Sequence, residues 1–307
     1  MVNSKKKFAI FPIIILVGII VVVFALSSET SQEQQNIVKN PRVMEWRHIH
    51  GLGLDPDDPN LLFIATHGDF YHSRNGGPPV KVDKIRTDYM AFSAPYNKDA
   101  PLYASGHPST GGNAGLIKSS DGGITWQQVA TVLDPPVDFH AMAVSKTDPN
   151  LIMGFDSANR GLFKTTDAGK TWITIDYPNR ISALAISPHD SDIIFAGTQN
   201  GIYKTVDGGK TWNHVSYKGL NVFALSFDEQ GTLFGSVGTF GLVKSADGGK
   251  TWEDLPEIID LTITSFALDY SNKIIYVSGY PSEGFQELYK MTYDLDSYDL
   301  IATNKFE

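Results

Sequence analysis

Short apolar stretches recur along most of the chain and set its expected architecture. The first of each set is built from small and branched residues, at 49–54, 90–94, 141–145, 182–187, 222–227 and 265–270. A second follows, as at 61–66, 102–105 and 193–197, and a third ends in a Gly-apolar-apolar-Lys pattern at 115–118, 161–164, 201–204 and 241–244. Apolar runs of this length, bounded by turn residues, predict strands, four to a module. One apolar stretch is of another kind. Lys5, Lys6 and Lys7 precede an uncharged run from Phe8 to Leu26, interrupted only by Pro12 and Gly18. As a helix it would extend about 28 Å, close to the hydrocarbon thickness of a bilayer. The basic residues ahead of it favour a cytoplasmic N-terminus with the rest of the chain outside. The length of the run favours an uncleaved anchor, and the small residues Ala25 and Ser27 offer cleavage near Ser27, hence secretion, as the alternative.

An octapeptide repeat sharpens the module reading. The pattern Ser/Thr-x-Asp-x-Gly-x-Thr-Trp occupies residues 119–126, 165–172, 205–212 and 245–252. Its aspartates are Asp121, Asp167, Asp207 and Asp247, separated by 46, 40 and 40 residues, and its tryptophans are Trp126, Trp172, Trp212 and Trp252. A worn copy lies 46 residues upstream, where Ser73, Asn75 and Gly77 hold the Ser, Asp and Gly positions. A period of 40 to 46 residues in a strand-rich chain points to propeller blades. The chemistry of the box is structural: the Asp accepts turn N–H groups, the glycines free the backbone, and the Trp opens the next strand by packing between blades. The repeats resemble the Asp-box, or BNR, repeats of sialidases, sortilin-type receptors and photosystem II assembly factors, over most of residues 42–292. That resemblance implies a fold and leaves the activity open, because those relatives include enzymes and pure binders.

Six first strands imply an all-β, six-bladed propeller over residues 41–307, after a membrane segment at 1–26 and a polar linker at 27–40 rich in Ser, Gln and Glu. The sixth module lacks an Asp box. The N-terminal strand at 42–48 is expected to close the ring there, with Trp46 in the vacant Trp position; the competing closure uses residues 298–303.

In a blade, the loop before the first strand and the loop between the second and third lie on one face, opposite the Asp boxes. Five of the eight histidines fall on that face: His48, His50, His67, His107 and His140. His50, Met90 and His140 hold one slot in three successive modules, and His67 and His107 match in the other loop class. In this register His50, His67, His107 and His140 converge near one channel mouth with Met90 beside them. Grouped neutral imidazoles suit zinc or copper, and a thioether favours copper. The competing reading has them donating hydrogen bonds to carbonyls of the channel mouth.

A hydrolase reading draws on the same face. Sialidases, which the repeats resemble, clamp a carboxylate with arginines beside an acid and a tyrosine. Arg86, Arg160, Arg180, Asp88, Asp138 and Tyr89 are the corresponding candidates here. The aromatic-Arg-Ile-Pro motif of that family is absent, and no arginine follows Arg180.

Composition narrows the partners. A net charge of −9 argues against nucleic acid, and the absence of cysteine rules out disulfides for an exported domain. The sequence therefore predicts a monomeric, extracytoplasmic binding or assembly-type protein, tethered to the membrane through Phe8 to Leu26. It would act on a protein or glycan partner, with a transition metal such as copper or zinc on its histidine face. The alternatives are a sialidase-like glycoside hydrolase and a passive interaction scaffold.

Overall fold

The computed structural model describes residues 42–304 apart from 96, 98, 257 and 258. The expected membrane segment and linker lie outside the described residues. Among the described residues no helix is long and apolar enough to cross a membrane.

The regular structure of the described chain is strand apart from a single 3-10 turn at Gly238–Phe240. Three sheets hold four consecutive strands each. They begin with Phe139–Val144, Ile181–Ile186 and Val222–Phe227, and every neighbour is antiparallel. A larger sheet comprises two such units. Leu61–Gly68 runs beyond its own unit and pairs His67 with Asp88 and Gly68 with Thr87 of the next inner strand, Thr87–Ser93. The last sheet starts at Thr262–Asp269. Inner strands of successive units touch, and Ile49–Leu54 touches Thr262–Asp269, so the series returns on itself.

Small residues at the inner strands follow from crowding where the units converge. A Cβ on Gly53 would stand 2.4 Å from the Cβ of Ala94 in the neighbouring unit. Large residues fill the spaces farther out. Trp126 packs on Phe70 and Tyr89, with ring centroids 5.4 and 5.0 Å apart, which joins the first unit to the second.

Each Asp box is a closed hydrogen-bond circuit. Asp121 accepts from Thr125 N (2.9 Å), Thr125 Oγ1 (2.6 Å) and Ser119 Oγ (2.8 Å), while Ser119 Oγ accepts from Gly123 N. Asp167, Asp207 and Asp247 repeat the pattern. The Trp172 and Trp252 indoles donate to their own box glycine, as Trp126 does, whereas Trp212 reaches Asp176 O of the preceding unit. Lys164 and Lys204 donate to Gly208 and Gly248 carbonyls of the next box, and His72 Nε2 meets Gly122 O at 2.6 Å in the equivalent place. The boxes are thus scaffold, stitched from unit to unit.

Both strands considered for closure are used. Tyr298–Asn304 is antiparallel to Glu287–Thr292 as the fourth strand of the last sheet, and Arg42–Met44 adds outside it in parallel. Trp46, 1% exposed, fills the space between first and last units against Tyr71, Leu288 and Ala302. Buried Gln286 clamps this seam: its carbonyl accepts from Ile49 N, and its amide donates to Ile49 O (3.2 Å) and Thr264 Oγ1 (3.3 Å).

Candidate functional site

Every inner strand is interrupted at the same place. Its pairing with the second strand skips one residue, between Ile49 and Gly51, Tyr89 and Ala91, Phe139 and Ala141, Ile181 and Ala183, Val222 and Ala224, and Ile263 and Ser265. The skipped residues are His50, Met90, His140, Ser182, Phe223 and Thr264, and all six line a central channel of about 620 Å³. A bulge re-aims the side chain it carries, so this one irregularity presents six side chains to the channel. The slot expected for His50, Met90 and His140 thus recurs in all six units. In the sixth Thr264 holds it, while the adjacent Ser265 is buried and bonded to Ser278.

Two residues before each bulge stand His48, Asp88 and Asp138 in the first three units. They organise the histidines into two clusters. In the first, His48, His50 and His67 bring one ring nitrogen each to within 4.8 Å of one another. The His48 ring lies 4.4 Å from that of His50 and 5.0 Å from that of His67. The backbone fixes this arrangement, because His67 N donates to His48 O and Gln286 holds Ile49 between the other two. His67 Nδ1 lies 2.8 Å from Asp88 Oδ2, an orienting contact of the kind that leaves Nε2 free. His50 Nε2 and Asp88 Oδ1 are 3.4 Å apart, enclosed, and without a hydrogen-bond partner among the described residues. Burial lowers the His48 pKa to about 4, helped by the neighbouring imidazoles, and burial also lowers His67 against the opposing pull of Asp88. These two rings are therefore neutral at physiological pH and present lone pairs.

In the second cluster Asp138 is the hub. His140 Nε2 donates to its Oδ2 at 2.8 Å, Ser157 Oγ does the same at 2.8 Å, and His107 Nε2 stands 3.4 Å away. Asp138 Oδ1 is enclosed without a partner. Burial pushes this carboxyl up, but hydrogen bonds from His140 and Ser157 outweigh it and hold it below the ordinary carboxylate value. Asp138 N donates to Asp156 Oδ1, and Asp156 is gripped by Arg160 through Nε at 2.9 Å and Nη2 at 2.8 Å.

The expected four-histidine set thus divides: His50 joins His67, His107 joins His140, and Met90 lines the channel. The residues missed were His48, as a third imidazole, and Asp88 and Asp138 as partners of the histidines. Their signal was present, since all three share one register position.

The hydrolase candidates fare differently. Tyr89 is fully buried, packed between Phe70 and Trp126, and donates to Asp83 Oδ2 at 3.2 Å. Burial pushes its hydroxyl well above the usual phenol range. It precedes the bulge and points into the core, so the expectation of an accessible tyrosine is corrected. Arg160 also binds the Pro135 and Pro136 carbonyls and is a loop clamp. Arg180 donates to Ser157 O at 3.3 Å, and Arg86 lies over Gly68.

Comparison with known proteins fits this architecture. The family model described as sortilin, neurotensin receptor 3 (Sortilin-Vps10) matches residues 114–233. Among solved structures, a GH74 enzyme of Niastella koreensis superposes with a TM-score of 0.64 at 17% identity, covering 85% of this chain and 46% of that one. The fold is that of an Asp-box β-propeller. YCF48 bound to a D1 peptide gives a TM-score of 0.52 at 14% identity, covering 84% of this chain and 83% of that one. A gluconolactonase of Xanthomonas campestris gives 0.61 at 13%, covering 78% and 85%. At these identities the β-propeller fold alone is what is shared. One curated relative, described as a probable oligoxyloglucan-reducing end-specific xyloglucanase of Neosartorya fischeri, is 30% identical over 178 residues, 47% of this chain. The chain spans about a fifth of that relative's length, 21%.

Proposed function

We propose that this chain is a six-bladed, membrane-tethered propeller facing away from the cytoplasm that binds rather than transforms its partner, and that its His48, His50 and His67 hold a transition metal ion. The blade count rests on five four-stranded units and a last one of five strands, arranged in a returning series. The tether rests on the Lys-flanked apolar run from Phe8 to Leu26.

The observation that carries the metal reading is the histidine trio itself, with three ring nitrogens within 4.8 Å of one another. Two enclosed atoms without a hydrogen-bond partner, His50 Nε2 and Asp88 Oδ1, face each other across 3.4 Å at the same place. A buried polar atom with no partner costs about 1–3 kcal/mol, and a bound cation would remove that cost for the imidazole nitrogen. Three imidazoles oriented by a carboxylate suit zinc or copper, with bonds of about 2.0–2.1 Å for zinc. The test is elemental analysis of the full chain, purified in detergent without a polyhistidine tag and dialysed against zinc or copper. Bound metal that falls by one equivalent in His50→Ala/His67→Ala supports the reading; an unchanged metal content refutes it.

The second reading is a glycoside hydrolase, favoured by the 30% identity to the fungal xyloglucanase-like protein. Release of reducing ends from xyloglucan oligosaccharides would support it, and no release at high enzyme concentration would dismiss that substrate class.

A further inference from the structure

The second cluster differs from the histidine trio in composition, exposure and support. We infer that His107, Asp138 and His140 form a separate cation site, a two-imidazole, one-carboxylate set that takes a divalent first-row metal and leaves coordination positions open to water or a ligand oxygen.

The geometry is close to that of a loaded site. Ligand atoms bonded at about 2.0–2.1 Å in a tetrahedron stand about 3.4 Å apart. His107 Nε2 and Asp138 Oδ2 are separated by 3.4 Å, and one ligand atom from each of the three residues lies within 4.8 Å of the others. The 2.8 Å contact from His140 Nε2 to Asp138 Oδ2 is a hydrogen bond, so loading requires that nitrogen to lose its proton and move outward by a few tenths of an ångström. His140 has the room: its side chain is 38% exposed, and that of His107 is 39% exposed.

A second observation points the same way. Asp138 Oδ1 is enclosed with no hydrogen-bond partner, in a side chain that is 8% exposed. The two imidazoles meet Oδ2 of this carboxylate, and its Oδ1 is left as an unmet acceptor, which a cation bound to the carboxylate would help to satisfy. The support is built as well. Ser157 Oγ donates to Asp138 Oδ2, Ser157 N donates to Asp138 O, and Asp138 N is held by Asp156. Arg160 fixes Asp156 and the carbonyls of Pro135 and Pro136 on the loop leading to Asp138. Arg160 is thus a positioning residue for the hub carboxylate.

The donor set also sets the chemistry. Three protein ligands leave the fourth position of a tetrahedral metal open in either cluster, and the second cluster is the more exposed of the two. Two imidazoles and a carboxylate at an exposed mouth, with open positions, are the arrangement in which a metal polarises water or a substrate oxygen. His107 is the cross-strand partner of Asp88, and Asp88 of His67, so one row of strands carries both clusters.

Zinc is the probe. Equilibrium dialysis of the full chain should give two equivalents, falling to one in His107→Ala/His140→Ala and to one in His50→Ala/His67→Ala. Asp138→Asn, which keeps the shape and removes the charge, should weaken only the second equivalent, by at least tenfold. Melting of metal-free His107→Ala/His140→Ala should stay close to the parent, because both rings are more than a third exposed. Retention of the parent's zinc content in His107→Ala/His140→Ala, or loss of both of two equivalents in either double variant, would overturn the separate site. One equivalent lost only in His107→Ala/His140→Ala would leave this inference standing while removing the trio.

Discussion

At the scale of single residues, identity alone decided less than register. Asp121, Asp167, Asp207 and Asp247 were readable as turn acceptors because their spacing to Ser, Gly and Thr is fixed within eight residues, and the bonds are local. His48 and Asp138 were harder to read, since their meaning depends on a slot shared across blades. Tyr89 was misread because a bulge sits immediately after it and turns its neighbour, not itself, toward the channel. The box aspartates carry a pH prediction. The Asp167 pKa is lowered from 3.8 to about 2, chiefly by the Thr171 hydroxyl and then by Thr171 N–H, and Asp207 and Asp247 are lowered further. A carboxyl with a depressed folded-state pKa contributes stability present above its unfolded value and lost as pH falls through the folded one. The melting temperature of the wild type should therefore exceed that of Asp167→Asn at neutral pH, with the gap closing between about pH 4 and about pH 2. Asp207→Ala should lower the melting temperature by a few degrees and leave zinc uptake unchanged. Selective loss of metal with unchanged melting would contradict its assignment to the scaffold.

At the scale of elements, strand positions were legible from the apolar pattern, and the expected strands at 49–54 and 222–227 agree with Ile49–Leu54 and Val222–Phe227. What the pattern could not show was the repeated bulge, because a skipped residue leaves the apolar alternation intact on either side. The same blindness hid the pairing of Leu61–Gly68 with the next unit. The seam was half legible: Trp46 fills its gap, yet Gln286, the residue that bonds both sides, carries no local signature. Gln286→Leu should strand the N–H and C=O of Ile49 and cost about 2 kcal/mol of unfolding free energy. Because Ile49 lies between His48 and His50, the same change should also weaken zinc binding at the trio. Denaturant melts and zinc titration check both effects; a loss of stability with undiminished zinc affinity would show that the seam does not position the trio.

At the scale of the molecule, the repeat made the propeller readable because the same turn circuit recurs every 40 to 46 residues and pins one strand pair per unit. The site was less readable, since it draws on units that lie apart in sequence and meet only when the series closes. That closure sets the first inner strand, with His50 on it and His48 just before it, beside the last, with Gln286 between them. Function on this account resides in an asymmetry: three units carry His48, Asp88 and Asp138 two residues before the bulge, whereas the other three carry Arg180, Asn221 and Thr262. The most direct test of the metal-binding claim is an anomalous difference map at the zinc edge from crystals of the zinc-treated protein. The account predicts a peak about 2.0–2.1 Å from ring nitrogens of His48, His50 and His67. Well-ordered imidazoles at that place with no peak between them would contradict it.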